Sequence, residues 1–381
     1  MLKSEMRKLL SLPRLLILII AFVIFYMLFF RPNLDIAKQD TSLSIQYEIS
    51  EDLIEKYGTE LDFSEYEDLC ANIPQRPESE IDRWIRKHEE YTELGITTFE
   101  DLEKALESLP TETAAILSGN LNIAFSQDEQ ADIRHELLKI QYLESIAEEY
   151  STRQTINGSI GSGQLSSRTL TEMELQSLMP DYPVTYFLRL VSDYFLFMVF
   201  SLIMLIVPYS VKDNMNNMKP LLYTTKRGRH LYKLKRNAVL LGCLIIITAE
   251  IAVLFQFTWR NNFWFCKDCY ITGFYSSFIS AFPVTFGNYM MICAGTLLIL
   301  CILLAGIIFV LAEISGNYVA ALAWQLPVII CTFIFSIKFA VHFFDISQGF
   351  SVPLLLLFTS AASAGTLYFY RHRELFRTGL F

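Results

Sequence analysis

The sequence predicts an all-α, polytopic membrane protein: six transmembrane helices with a mostly helical extracellular domain between the first two. Three observations lead there. Hydrophobic residues make up 52% of the 381 residues, with 30 Phe and 19 Tyr, which is more apolar surface than a water-soluble chain needs. The excess is gathered into six runs, roughly 13–30, 184–209, 238–258, 287–311, 318–338 and 351–370. Each can cross a ~30 Å hydrocarbon core, which takes about 20 helical residues. Third, the charges are segregated. Residues 31–183 hold 32 Asp/Glu against 12 Lys/Arg, whereas the remainder holds 19 Lys/Arg against 8 Asp/Glu, as suits two sides of a membrane.

The chain divides accordingly. Residues 1–30 form an amphipathic N-terminal helix and the first span, 31–183 the extracellular helical domain, and 184–381 a bundle of five helices with a cytoplasmic loop at 210–237. In lipid no water satisfies the backbone, so each span must be helical. In "MLKSEMRKLLSL", Leu2, Met6, Leu9 and Leu10 recur at helical spacing opposite Lys3, Arg7 and Ser11, which predicts a short helix lying on the inner surface. The run after it continues through "IIAFVIFYMLFFRPN" with no small-residue exit, so an uncleaved signal anchor is favoured over a cleaved signal peptide.

Segments 50–58, 77–94, 98–109 and 128–151 of the outer domain are rich in helix formers. In the last, Ile133, Leu137, Ile140, Leu143 and Ile146 make one stripe, and Asp128 and Glu129 suit its N-terminus. "TSLSIQYEIS" alternates enough to allow one short strand. Residues 156–167, "INGSIGSGQLSS", read as a flexible linker rather than a phosphate loop, since the Lys-Ser/Thr ending is missing. "HELLK" at 135–139 lacks the second His of a zinc-protease motif.

Flanking charge sets the orientation. Lys3, Arg7, Lys8 and Arg14 precede the first span, a basic strip separates the second and third, and Arg371, Arg373 and Arg377 follow the sixth. Positive-inside bias puts all three regions, and both termini, in the cytoplasm. The fourth and fifth spans then meet in a tight cytoplasmic turn at 313–317, and loops 259–286 and 339–350 face outside. Cys243, Cys293, Cys301 and Cys331 read as small apolar fillers within spans. Cys70 stands alone in the outer domain, while "FCKDCY" leaves two readings of Cys266 and Cys269 open: a local disulfide, or two unlinked thiols.

Charges inside spans are expensive and mark candidate sites. Arg189 and Asp193, four apart in the second span, share a face, and Glu250 lies at comparable depth in the third. They either tie the two helices together through Arg189 or line a polar route for cargo. Glu313 and Lys338 lie near span ends, where they can snorkel to the surface.

The basic strip, "KPLLYTTKRGRHLYKLKR" at 219–236, carries eight Lys, Arg and His side chains and no acid. Nucleic acid is a poor partner for so short a tethered strip with no nucleic-acid fold around it. Anionic lipid suits Lys233, Lys235 and Arg236. Lipid does not explain the apolar, hydroxyl-bearing start. Pro220 suits a first helical turn, which would present Leu221, Leu222 and Tyr223, and Gly228 turns the chain. That pattern reads as a protein-docking element.

"LLYTTKRGRHLYKLK" between a second and a third span resembles the corresponding loop of ABC transporter permeases of the type-two export class. Those permeases commonly have six spans and an amphipathic N-terminal helix, and many from Gram-positive bacteria carry a large helical outer domain. The likeness extends over the whole architecture, and its specific motif over about twenty residues. "DNMNNMKP" at 213–220 stands where the family often has an acid and Gly-Thr; Asp213 supplies the acid and Gly-Thr is absent. The resemblance implies a bacterial cell membrane and a loop that acts as a coupling helix on a separate ATPase subunit. Leu221, Leu222, Tyr223, Thr224 and Thr225 would be its contact face, with Lys226, Arg227, Gly228 and Arg229 flanking.

The sequence contains no Gly-x-x-x-x-Gly-Lys-Ser/Thr, so the chain is expected to bind no cofactor and to draw on ATP through that partner. A second permease chain, as homodimer or heterodimer, and membrane lipids complete the expected partners. A different reading makes the chain a membrane-anchored sensor that catches a ligand with its outer domain. A membrane enzyme is disfavoured, because no nucleophile–base or metal cluster stands out in the spans.

Overall fold

A computed structural model describes residues 2–31, 41–73, 82–83, 85–86, 89–108, 131–155, 171–215, 231–273, 283–315, 317–342, 359–366 and 368. Helix α1 (Leu2–Leu9) leads into α2 (Leu12–Phe25), which ends in a π-helical turn at Tyr26–Phe30. Pro13 sits in the first turn of α2, where its missing N–H costs nothing. Arg14 reaches back and donates to the carbonyls of Lys8 and Leu9, satisfying groups that the end of α1 leaves open.

The segment expected outside comprises α3 (Thr41–Tyr57), α4 (Phe63–Ala71), α5 (Phe99–Ser108), α6 (Ala131–Thr155) and α7 (Glu172–Gln176), plus a single turn at Glu89–Thr92. Among the described residues it contains no strand, only an isolated bridge between Glu60 and Ser177. The short strand allowed at 41–50 is therefore corrected: this stretch is the start of α3. Ile45, Ile49 and Leu53 recur every four residues and pack with Tyr142, Leu143, Ile146 and Tyr150 of α6. A strand would put Glu51 on the same face as those three. The helix turns it away, to accept a hydrogen bond from Asn262 Nδ2 at 2.9 Å. Helix α4 starts in a capping box, with Asp62 accepting from Glu65 N at 2.8 Å and Glu65 Oε2 from Asp62 N at 2.9 Å.

Four longer helices follow: α8 (Asp181–Met215), α9 (Leu231–Arg260), α10 (Phe286–Ile314) and α11 (Tyr318–His342). Among the described residues four stretches are long and apolar enough to cross a membrane: Leu12–Phe29, Tyr182–Lys212, Tyr232–Arg260 and Phe286–Ile314. The fifth expected span corresponds to α11, whose apolar stretch Tyr318–Ile334 is shorter. Of the sixth, only residues 359–366 and 368 are described.

Helix α8 is the hub, with α2, α9, α10 and α11 packed on it. Of its apolar stretch 78% is buried, against 6% for that of α2, so α2 presents most of its surface to lipid or to another chain. Lipid tails are as apolar as Leu, so close packing and interhelical hydrogen bonds must hold such a bundle. Tyr194 donates to the carbonyl of Glu250 at 2.9 Å, joining α8 to α9, and Gln325 Nε2 to the carbonyl of Ile308 at 3.3 Å, joining α11 to α10.

Candidate functional site

The most unusual chemistry in the bundle lies where α1 crosses α8 and α9. Leu9 is fully buried against Gly242 of α9, and a Cβ at that position would overlap the Leu9 side chain. This close approach brings Glu5, one turn earlier on the same face, onto α8. Tyr209 donates to Glu5 Oε2 at 2.7 Å, and Lys8 holds Oε1 at 2.6 Å from the exposed side. Next to Tyr209, Lys235 of α9 pairs with Glu313 of α10 at 3.5 Å, with side chains only 3% and 2% exposed. Lys235 Nζ also lies 5.8 Å from the centre of the Tyr209 ring, and the Arg14 guanidinium 6.0 Å from it.

Four helices are thus joined by alternating charges around one phenol ring. Taking either member of the Lys235–Glu313 pair out of water alone would cost several kcal/mol, so the two are tolerated here because they face each other. The joint sits at the root of the basic strip, since α8 ends at Met215 and α9 starts at Leu231. Residues Leu221, Leu222, Tyr223, Thr224, Thr225, Lys226, Arg227, Gly228 and Arg229 lie outside the described residues.

Two expectations about this end are corrected. Lys235, grouped with Lys233 and Arg236 as a lipid contact, is 2% exposed. The helical period turns it inward, while Lys233 is exposed and Arg236 is half-buried, bonding Asn237 Oδ1. Glu313 does not snorkel; it is buried against Lys235. The side chain of Lys338 lies outside the described residues. Helix α10 ends at Ile314 and α11 starts at Tyr318, with Asn317 Oδ1 accepting from Ala320 N at 2.8 Å to open α11; Gly316 of the expected tight turn lies outside the described residues.

Arg189 is exposed on α8 and Asp193, one turn on, is half-buried beside it. Glu250 lies apart from them, with Ser201, Cys243 and Cys301 around its carboxylate, and its Oε2 is buried with no hydrogen-bond partner among the described residues. No ion pair joins Arg189 to Glu250 among the described residues. No group of three metal-ligating side chains occurs among them either.

The opposite end of the bundle carries the helical domain on a different kind of contact. Tyr270 N donates to Ser177 Oγ at 2.8 Å, and Thr272 Oγ1 to Glu174 Oε1 at 2.7 Å. Ser177 is itself braced within the helical domain, where Leu61 N reaches Gln176 O at 2.8 Å and Leu178 N reaches Thr59 O at 3.0 Å. Gly273 lies so close that a Cβ there would meet the Ser177 carbonyl and the Met179 backbone. Two residues after α9, Asn262 takes the left-handed conformation, φ 55°, and its carbonyl accepts from Tyr47 at 3.3 Å. Burial, with Glu51 nearby, pushes the Tyr47 hydroxyl up to about 12.

Sequence reasoning missed the α1 joint. One signal was present: Glu5 shares the helical face of Leu2 and Leu9, an acid set on an apolar stripe. The Lys235–Glu313 pairing has no local signature. No family model, curated protein or solved structure matches the chain.

Proposed function

We propose that this chain is the membrane-spanning permease subunit of an ATP-driven exporter of the ABC type, moving an amphipathic, lipidic or peptide cargo. ATP is hydrolysed on a separate subunit that docks on residues 221–229, and a second permease chain completes the pathway. The observation that carries this reading is the polar joint at the root of the strip: Tyr209–Glu5 at 2.7 Å and Lys235–Glu313 at 3.5 Å. A docking element connected to the spans only by apolar side chains could slide. One rooted in buried charges moves α1, α8, α9 and α10 together, as rigid-body rocking requires. The exposed surface of α2 is the available face for the second chain.

A sensor reading draws on the other end, where the helical domain contacts Asn262 and residues 270–273 and could pass a ligand signal into α9. Purification of tagged protein from its native membrane, with mass spectrometry of accompanying chains, separates the two. The transport reading predicts a stoichiometric chain with a Gly-x-x-x-x-Gly-Lys-Ser/Thr motif. Its consistent absence overturns transport.

A further inference from the structure

Residues 261–273 form a compact turn after α9, and hydrogen bonds from Tyr47, Glu51, Glu174 and Ser177 of the helical domain converge on it. Phe286 N donates to Cys269 O at 2.9 Å, Gly287 N to Lys267 O at 2.7 Å, and Ile271 N to Val284 O at 3.1 Å. Tyr270 N reaches Ser177 across the boundary. Two cysteines stand at the centre, both free thiols, both fully buried, and both within one apolar cluster.

Their spacing is set by a reverse turn. Cys269 N donates to Cys266 O at 3.1 Å, and Lys267 has φ −58° and ψ −32°, the first central position of a type I turn. The first and last Cα atoms of such a turn are less than about 7 Å apart. Disulfides bridge Cα atoms about 4.4–6.8 Å apart. Closing the pair therefore requires rotation of side chains with little movement of the backbone.

We infer that Cys266 and Cys269 are a modification site: in the mature protein they are joined as a disulfide that closes the 266–269 turn. The inference rests on the orientation that puts this turn on the oxidising side of the membrane. The co-reactant is a disulfide, on a thiol oxidoreductase or a small dithiol compound. One cysteine thiolate attacks it, breaking its S–S bond and releasing one thiolate. The second cysteine attacks the mixed disulfide, forming the Cys266–Cys269 bond and releasing the other thiolate. Two cysteine thiols are oxidised, the co-reactant disulfide is reduced to two thiols, and the two cysteine protons end on them. Burial pushes both thiols up, Cys269 to about 12, so they are poor nucleophiles once the turn has docked. Both thiols are fully buried in the docked turn, so the co-reactant must reach them before the turn is covered.

The sequence provides a direct assay. Phe265, Lys267 and Tyr270 flank the cysteines, so trypsin with chymotrypsin cuts between Cys266 and Cys269. Cells are lysed in denaturant with excess alkylating reagent and no reductant, then digested. In parallel, intact cells receive a membrane-impermeant maleimide, which reads orientation through Cys70, exposed on α4. The inference predicts that the Cys266 and Cys269 fragments stay linked and unalkylated until reductant is added, with Cys70 labelled from outside. Separate, alkylated fragments with Cys70 labelled overturn the disulfide and leave the orientation standing. Separate, alkylated fragments with Cys70 labelled only after permeabilisation overturn the orientation and the disulfide with it.

Discussion

The two ends of the bundle are held in different ways. At the α1 end, four side chains, Glu5, Tyr209, Lys235 and Glu313, bind helices that are far apart in sequence, and three of them are charged. At the end that carries the helical domain, hydrogen bonds from side chains cross to one turn, with Ser177 on Tyr270 N, Glu174 on Thr272, Tyr47 on the Asn262 carbonyl and Glu51 on the Asn262 amide, while backbone bonds brace each side separately: Leu61 to Gln176, Leu178 to Thr59, Phe286 to Cys269. A few charged side chains give a strong, directional connection that fails when one is removed. Several hydrogen bonds gathered on one backbone-braced turn share the load, and the close approach at Gly273 makes that end depend on chain geometry as well as on side-chain identity.

That contrast can be broken by substitution. Lys235→Met should be the most damaging change, because it leaves Glu313 buried without its cation, at about 3–5 kcal/mol. Lys235→Met with Glu313→Leu should recover most of that loss, since it removes both charges. Thermal unfolding in detergent measures both. Equal loss in the single and double variants would mean that the pair does not act as a unit.

At the other end, Gly273→Ala should cost about 1–3 kcal/mol, because the new methyl meets backbone that cannot step aside. Ser177→Ala removes one hydroxyl that accepts from Tyr270 N, and should cost about 1 kcal/mol. Hydrogen exchange over 171–180 reads both. The close backbone approach at Gly273 requires the glycine to matter more than the serine, and the reverse order would contradict it.

The smallest effect lies in α4. The Asp62 carboxylate accepts from Glu65 N and from Ser64 Oγ, which holds its carboxyl below the usual range. A lowered folded value means that the stabilisation is present above the unfolded carboxyl's value, about 3.9, and fades as pH falls through the folded value. Protection of α4 amides, corrected for intrinsic exchange, should be flat from neutrality down to about pH 4 and fall below it. Asp62→Asn should flatten that acid limb while the α1 joint is unaffected.

Much of this architecture was legible in the sequence. The runs at 184–209, 238–258 and 287–311 became α8, α9 and α10, because length and apolarity dictate helices in lipid. The stripe in α6 was visible too, and Ile140, Leu143 and Ile146 are buried. The region at 41–50 was harder to read, since Ile45 and Ile49 fit a period of two or of four until Glu51 decides between them. Neither end of the bundle could be read. Lys235 and Glu313 are 78 residues apart, and local pattern gives no partner at that range. At the other end Tyr270 and Ser177 are 93 residues apart, and Thr272 and Glu174 are 98 apart, beyond the reach of local pattern as well.

The central claim is that the basic strip docks an ATPase and that its root passes movement to the spans. Quantitative mass spectrometry of ATPase retained by tagged protein, beside a membrane-insertion assay, tests this most directly. Apolar anchors dominate docking of a short helix in a groove. Leu222→Asp with Tyr223→Asp should therefore lose the ATPase yet insert normally, while Lys233→Gln with Arg236→Gln should retain it. Retention at the wild-type level by the Leu222/Tyr223 variant would contradict the account and leave the strip a topology signal alone.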